Sequence, residues 1–117
     1  MKSIRAVIGH MDDMLDIETL KQECDAGRIK WTVHILEKML ERNIGPTDVI
    51  NCIRTGRIIE QYPQAYPYPA CLILGLTTNK DKCIHVVVGH GMGYLWIVTV
   101  YEPDENEWTN ECSERKV

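Results

Sequence analysis

One stretch of the chain carries side chains that suit acid–base and anion chemistry at a regular spacing. His34, Lys38 and Arg42 follow one another at intervals of four residues. In a helix such residues lie on one flank, which would then offer an imidazole and two cations. Lysine and arginine hold phosphate oxygens, and histidine moves a proton near neutral pH. The spacing predicts an anion-binding flank, and a merely solvated helix surface is the alternative that it leaves open.

A second group of polar side chains lies in the C-terminal half. His85 interrupts an aliphatic run, and the alternation of a strand puts it on the face opposite its two aliphatic neighbours. Such a histidine is either a hydrogen-bonded structural residue or part of a site. Arg57, Tyr62 and Tyr101 lie near predicted element ends and are further polar groups that can converge there.

The cysteines and histidines do not form a recognisable metal motif. Five cysteines are an odd number, and none of them forms a Cys-x-x-Cys pair. Free thiols in a reducing compartment fit this pattern better than a secreted disulfide framework. Cys83 and His85 share a strand face and His90 follows them, but zinc sites usually show closer paired ligands. We therefore expect no bound metal and no cofactor.

Length and charge bound the function classes. The chain has 117 residues and a net charge of −4, which suits one domain with its own core. The charge is uneven, because residues 28–57 carry six Lys and Arg against three Asp and Glu. An anionic partner would meet this basic middle, although the acidic total counts against RNA binding. No apolar run approaches a membrane span, and the first residues make a poor signal peptide, so we expect a cytoplasmic protein without a membrane partner.

The hydrophobic periodicity changes halfway along the chain. Helical spacing gives way to alternation after Gly56, and proline-rich and glycine-rich segments separate the later runs. This order predicts an α+β domain whose N-terminal helices pack on one face of a four-stranded antiparallel sheet. The predicted helices are 16–26, 32–43 and 46–55, the predicted strands are 58–62, 71–76, 83–89 and 94–101, and 89–93 is the predicted hairpin loop between the last two.

The middle helix should bury a stripe of large apolar residues. Trp31, Ile35, Leu36, Met39 and Leu40 recur at spacings of three and four. We place the domain at residues 16–108, with an N-terminal extension at 1–15 and an acidic tail at 109–117 that we expect to fray. The sheet face away from the helices would be covered by Trp108 and the tail or by a second chain, and we favour a partner chain, including a homodimer.

An ordered series of short motifs resembles a bacterial family known only as domain of unknown function 4258. The resemblance covers roughly residues 16–108, and it departs from the family pattern at Gly45, where a serine is expected. The motifs are Trp31-Thr32-x-His34, Met39-x-x-Arg42-x-Ile44, Asp48-Val49-x-x-x-Ile53-x-x-Gly56-x-Ile58-Ile59, Tyr62-Pro63, Leu72-Ile73-Leu74-Gly75, His85-Val86-Val87 and Thr99-Val100-Tyr101-x-Pro103.

The resemblance implies an expected function but no established one. Members are similar in element order to small toxin ribonucleases of toxin–antitoxin systems, and they are often encoded beside a small zinc-finger protein of antitoxin type. This analogy implies a metal-independent ribonuclease acting on RNA. A non-catalytic module that docks a zinc-finger partner or its own copy is the alternative.

Acid–base roles follow for the ribonuclease hypothesis. His34 would take the proton of the ribose 2′-OH, and His85 or Tyr101 would protonate the leaving oxygen. Cationic side chains would stabilise the charged phosphorane. The candidate catalytic residues are His34, Arg42, His85 and Tyr101, and the candidate binding residues are Lys38, Arg57 and Tyr62.

Overall fold

The structure, a computed structural model, describes residues 14–79, 82–109 and 111–116. The predicted α+β class is confirmed. None of the described helices is long and apolar enough to cross a membrane. The helices are α1 (Ile17–Asp25), α2 (Val33–Glu41) and α3 (Pro46–Thr55), and the strands are β1 (Ile29–Lys30), β2 (Arg57–Tyr62), β3 (Ala70–Leu76), β4 (Cys83–Gly91), β5 (Tyr94–Tyr101), β6 (Trp108–Thr109) and β7 (Glu114–Arg115).

Local signals in the sequence set the helix boundaries. The Asp16 carboxylate and the Thr32 hydroxyl accept hydrogen bonds from backbone N–H groups three residues later, at 3.2 Å and 3.1 Å. Pro46 opens α3, where a missing N–H costs nothing. Gly27 and Asn43 follow α1 and α2 with φ of 74° and 58°, conformations that end a helix.

The sheet differs from the predicted four-stranded antiparallel one. Five strands lie in the order β1-β5-β4-β3-β2, and β1 runs parallel to β5 while the other pairs are antiparallel. The prediction missed β1 because two residues between two helices are too short to show alternation. A second, two-stranded sheet joins β6 to β7.

The register of the sheet separates two kinds of face. Ile73, Val86 and Val100 are aligned across β3, β4 and β5 and lie in the core against the helices, on what we call the helix face. His85 and Tyr101 form a neighbouring aligned pair. Because adjacent residues of a strand point to opposite sides, this pair lies on the other surface, which we call the second face.

The predicted buried stripe of α2 is only partly correct. Ile35 and Met39 are 2% and 1% exposed, but Leu36 and Leu40 are 41% and 83% exposed. α2 packs over β5, and the only described strand beyond β5 on that side is the two-residue β1. The sheet therefore covers one narrow side of α2.

The hairpin between β4 and β5 is tighter than the predicted loop at 89–93. β4 continues to Gly91 and β5 begins at Tyr94, so only Met92 and Gly93 form the turn. Both turn residues have positive φ, 57° and 78°, as two-residue hairpins with right-handed twist require.

The expectation that the acidic tail frays is wrong for the part of it that the structure describes. Trp108 is 5% exposed and its ring packs against His85 with centroids 4.4 Å apart. Arg115 lies over the Trp108 ring, with its guanidinium carbon 4.6 Å from the centroid. The tail therefore folds back as a short hairpin onto the second face, because Trp108 finds apolar and aromatic surface there.

Candidate active site on the second sheet face

A histidine and a tyrosine form a hydrogen-bonded dyad on the second face. His85 is fully buried, with Nδ1 3.2 Å from the Tyr101 hydroxyl and Nε2 2.8 Å from the carbonyl oxygen of Cys112. A carbonyl can only accept, so Nε2 carries the hydrogen and donates it. In the neutral ring Nδ1 is then the acceptor, and the Tyr101 O–H donates to it.

Burial sets the protonation states of this dyad. Desolvation lowers the pKa of His85 below its ordinary value of 6.5, against the opposing effects of the Cys112 backbone hydrogen bond and the Glu60 charge. Burial also raises the pKa of Tyr101 above 10.0. Near neutral pH the imidazole is therefore neutral and the phenol protonated, which is the pairing that a proton relay from tyrosine to histidine needs.

A second polar cluster lies beside the dyad and includes the tail. Arg115 donates two hydrogen bonds to the Glu60 carboxylate, at 2.8 Å and 3.1 Å, and the Tyr62 hydroxyl donates a short hydrogen bond to the same group. The Arg115 hydrogen bond is the main reason that the pKa of Glu60 is lowered. Burial, followed by the Glu60 hydrogen bond, raises the pKa of Tyr62 to about 12. These contacts hold the tail hairpin across the face that contains His85.

Arg42 reaches the same end of β5 from the helix side. Its Nη1 lies 2.7 Å from the Val100 carbonyl oxygen and 3.5 Å from Thr99 Oγ1. On the side of β5 away from β4, no described strand follows after Trp96, because β1 pairs only as far as that residue. The guanidinium thus occupies an open strand edge beside Val100, the residue before Tyr101, and its remaining N–H donors can bind a ligand.

The other predicted site residues lie apart from the dyad. His34 is exposed on α2, on the helix side of the sheet, so the structure does not bring it to His85. Lys38 lies 3.9 Å from Glu41. Arg57 is exposed and lines a separate pocket of about 300 Å³ at the start of β2. Among the predicted site residues, His85 and Tyr101 are the two in direct contact with each other, and Arg42 lies near them at the C-terminal end of β5.

An apolar pocket of about 340 Å³ adjoins these groups on the second face. Tyr68 and Trp96 stack in its wall with centroids 5.5 Å apart, and the Trp96 indole N–H donates to the Gly91 carbonyl at 3.0 Å. The volume lies within the range of small-molecule sites. The lining residues are Tyr62, Ala65, Tyr66, Pro67, Tyr68, Ala70, Val87, Gly89, Trp96 and Val98.

The structure does not gather the predicted metal-type ligands. His90 Nε2 pairs with the Glu23 carboxylate at 3.0 Å, away from His85. Among the described residues no group of three histidine, cysteine or carboxylate side chains could hold a metal ion.

Sequence reasoning missed three members of the site: Glu60, Cys112 and Arg115. It named Trp108, the large aromatic residue just before the acidic tail, as one cover of the second face. The three missed residues have no local signal, because each gains its role only when the tail folds back onto the sheet.

A family model for a domain of unknown function, DUF4258, matches residues 31–102. The match includes α2, α3 and β2–β5, and it ends before the tail hairpin. No curated protein and no solved structure matches the chain.

Proposed function

The chain belongs to the DUF4258 family, and from this premise we propose that it is a metal-independent endoribonuclease of toxin type with its catalytic site at the C-terminal end of β5. The observation that carries the proposal is the hydrogen bond between Tyr101 and the buried His85, with Arg42 at the same strand end. A neutral imidazole that accepts a hydrogen bond from a phenol can take up its proton, and a nearby guanidinium can bind a phosphate.

Cleavage would start with the substrate phosphate bound by Arg42 at the open edge of β5. The Tyr101 oxygen takes the proton of the ribose 2′-OH while its own proton passes to Nδ1 of His85. The 2′ oxygen attacks phosphorus, and the guanidinium stabilises the negative charge that develops on the phosphoryl oxygens. The imidazolium then returns the proton through Tyr101 to the departing 5′ oxygen. The other RNA fragment ends in a 2′,3′-cyclic phosphate.

The proposed roles of His34, His85 and Tyr101 differ from those predicted from the sequence. Tyr101, which is only half-buried, meets the substrate, and the enclosed His85 acts through it. His34 has no part in the relay, since it lies on the other side of the sheet. Lys38 lies one turn before Arg42 on the same helix and would add a second cation for the RNA backbone.

The direct test is cleavage of a synthetic RNA in the presence of EDTA. We expect cleavage by the wild type, a loss of about 10²- to 10⁴-fold in Tyr101→Phe, and a loss of about 10²- to 10³-fold in Arg42→Ala. Arg54→Ala is the matched control, because this arginine forms an exposed ion pair with Asp25 on another helix. It should cleave at the wild-type rate.

Two results would overturn the ribonuclease proposal. One is the absence of cleavage by folded wild-type protein across RNAs of mixed sequence. The other is a Tyr101→Phe variant that cleaves as fast as the wild type, because removal of the hydroxyl breaks the only path from substrate to His85 in the scheme.

The second candidate function is a non-catalytic module that docks a second protein chain. It is favoured by the apolar pocket on the second face, beside which Tyr66 and Val98 are 95% and 55% exposed. A copy of the chain or a small zinc-finger protein would cover this surface. Light scattering over a concentration series, and co-expression with such a protein, test it. We expect a complex that Val98→Asp disrupts, and a monomer under both conditions would exclude this function.

A further inference from the structure

Two thiols from distant parts of the chain meet next to the dyad. The Sγ atoms of Cys83 and Cys112 are 2.9 Å apart, although the residues are 29 positions apart in sequence. Cys83 begins β4, and Cys112 lies in the turn of the tail hairpin. Both are partly accessible, whereas the other three cysteines are buried. The contact therefore joins the tail to the sheet through two sulfur atoms.

We propose that Cys83 and Cys112 are a redox-active pair whose disulfide fastens the tail hairpin over His85. A disulfide has an S–S distance of about 2.05 Å, so the two sulfurs need to approach by less than about 1 Å. Cys112 is also the residue whose carbonyl accepts the His85 Nε2–H hydrogen bond. Cross-linking its side chain to β4 would hold that carbonyl, and the hairpin with it, in the closed position.

The surroundings of Cys83 give an oxidant access to the pair. Cys83 lines the pocket of about 300 Å³ at the start of β2, together with Arg57 and Glu111.

Hydrogen peroxide is the class of oxidant that fits this geometry. The Cys83 thiol gives up its proton as its sulfur attacks one peroxide oxygen and the O–O bond breaks. Cys83 becomes a sulfenic acid, and the departing hydroxide takes up that proton and leaves as water. The Cys112 sulfur then attacks the Cys83 sulfur, loses its proton and displaces the second water. Two thiols and one peroxide thus give one disulfide and two waters, and a dithiol reductant reverses the change.

The bond is independent of the proposed activity, but its regulatory effect rests on that activity. With the hairpin fastened, Trp108 and Arg115 stay over the second face and restrict approach to the dyad. The hairpin is short, because β6 and β7 have two residues each. In the reduced protein it can open locally without unfolding the sheet.

The test is peroxide treatment of the full chain followed by alkylation and peptide mass spectrometry. We expect a mass loss of about 2 Da on formation of one disulfide, a cross-linked peptide pair containing Cys83 and Cys112, and three remaining alkylated thiols, Cys24, Cys52 and Cys71. Cys83→Ser and Cys112→Ser should each abolish the bond. Cys24→Ser, at a buried site in α1, should leave it unchanged.

Hydrogen exchange adds a readout of the closed hairpin. Amides of residues 108, 109 and 111–116 should exchange at least about tenfold more slowly in the oxidised than in the reduced protein. Cross-links among other cysteines, or a bond with no change in exchange, would overturn the inference. Bond formation without RNA cleavage in either state would instead reject only the proposed ribonuclease function.

Discussion

The two faces of the five-stranded sheet are covered in different ways. Three helices seal the helix face with aliphatic side chains and thiols, and the residues there are almost completely buried. The second face carries His85, Tyr101, Glu60 and Tyr62, and its covers are a tail hairpin and the proline-rich loop after β2. The histidine, tyrosine and glutamate side chains therefore lie on the face whose cover, in the described residues, is only a short hairpin and a loop.

This difference indicates where conformational change is cheap. Moving a helix from the helix face exposes a continuous apolar core, which costs about 25 cal/mol for each Å² exposed. Lifting the tail hairpin breaks the Glu60–Arg115 ion pair and the His85–Cys112 hydrogen bond, and it uncovers one tryptophan. Of the two described covers, the tail hairpin is therefore the one whose movement exposes less apolar surface, while the helix face provides rigid support.

The largest expected effect comes from adding a methyl group to a glycine on the helix face. A Cβ on Gly75 would lie 2.5 Å from the backbone carbonyl oxygen of Cys52 in α3. Since backbone must shift, we expect Gly75→Ala to lower the free energy of unfolding by about 3 kcal/mol or more. Urea denaturation measures the change.

Gly91→Ala on the second face is the matched comparison. Its Cβ would lie 2.1 Å from Cδ1 of the half-buried Tyr68 ring, so a side chain and not the backbone has to move. We expect a loss of about 1 kcal/mol and a change in Trp96 fluorescence, since Tyr68 stacks on that indole. If both substitutions lower the free energy of unfolding equally, the helices and the loop after β2 do not differ in rigidity as we infer.

Removing the buried imidazole should have the next largest effect. His85→Ala leaves the Tyr101 hydroxyl and the Cys112 carbonyl without their partner and opens a cavity beneath Trp108. We expect the free energy of unfolding to fall by about 2–4 kcal/mol in thermal or urea denaturation. His34→Ala, at an exposed position on α2, should change it by less than about 0.5 kcal/mol. Similar losses for both variants would contradict the burial of His85.

The parts of the fold with local signals could be predicted from the sequence. Capping residues such as Asp16 and Thr32 and the helix-ending Asn43 mark the helices, because their side chains and φ angles act within one turn. Alternation around His85 placed it on the second face, because strand geometry has a period of two.

The remaining parts depend on contacts between distant segments. β1 exists because Ile29 and Lys30 pair with the start of β5, at Leu95 and Trp96, and two residues alone carry no pattern that predicts this pairing. The Glu60–Arg115 pair spans 55 positions, and an arginine in an acidic tail has no spacing that points to β2. The four-residue spacing of His34, Lys38 and Arg42 correctly indicated one flank of α2. It could not place His34 near His85, since spacing along a helix does not tell which side of the sheet the helix will cover.

The buried His85 also predicts a pH dependence of stability. Because its pKa in the folded protein lies below 6.5, the folded state binds this proton less tightly than the unfolded chain does. The contribution of neutral His85 to the free energy of unfolding is therefore fully present above pH 6.5. It is lost as the pH falls from 6.5 through the pKa of His85 in the folded protein. The difference in unfolding free energy between wild type and His85→Gln, measured at several pH values, isolates this group.

The carboxylates provide a separate window at lower pH. The pKa values of Glu23, Asp48 and Glu60 are lowered from ordinary values of 4.5, 3.8 and 4.5, so their contributions are lost only below about pH 4.5. Both proteins contain them, so they cancel in the comparison. A difference between wild type and His85→Gln that stays constant from pH 7.5 to 5 would show that His85 is as easily protonated as in the unfolded chain.

The smallest expected effect distinguishes two cations of the same helix flank. Arg42 donates to the Val100 carbonyl at 2.7 Å, so Arg42→Ala should cost about 1 kcal/mol of unfolding free energy. Lys38 has only a 3.9 Å contact with Glu41, and Lys38→Ala should cost less than about 0.5 kcal/mol. If both variants are neutral, Arg42 is no more tied to β5 than Lys38 is. The guanidinium would then lack the fixed position on which the proposed stabilisation of a phosphorane depends, because a cation that must first be ordered contributes less to the transition state.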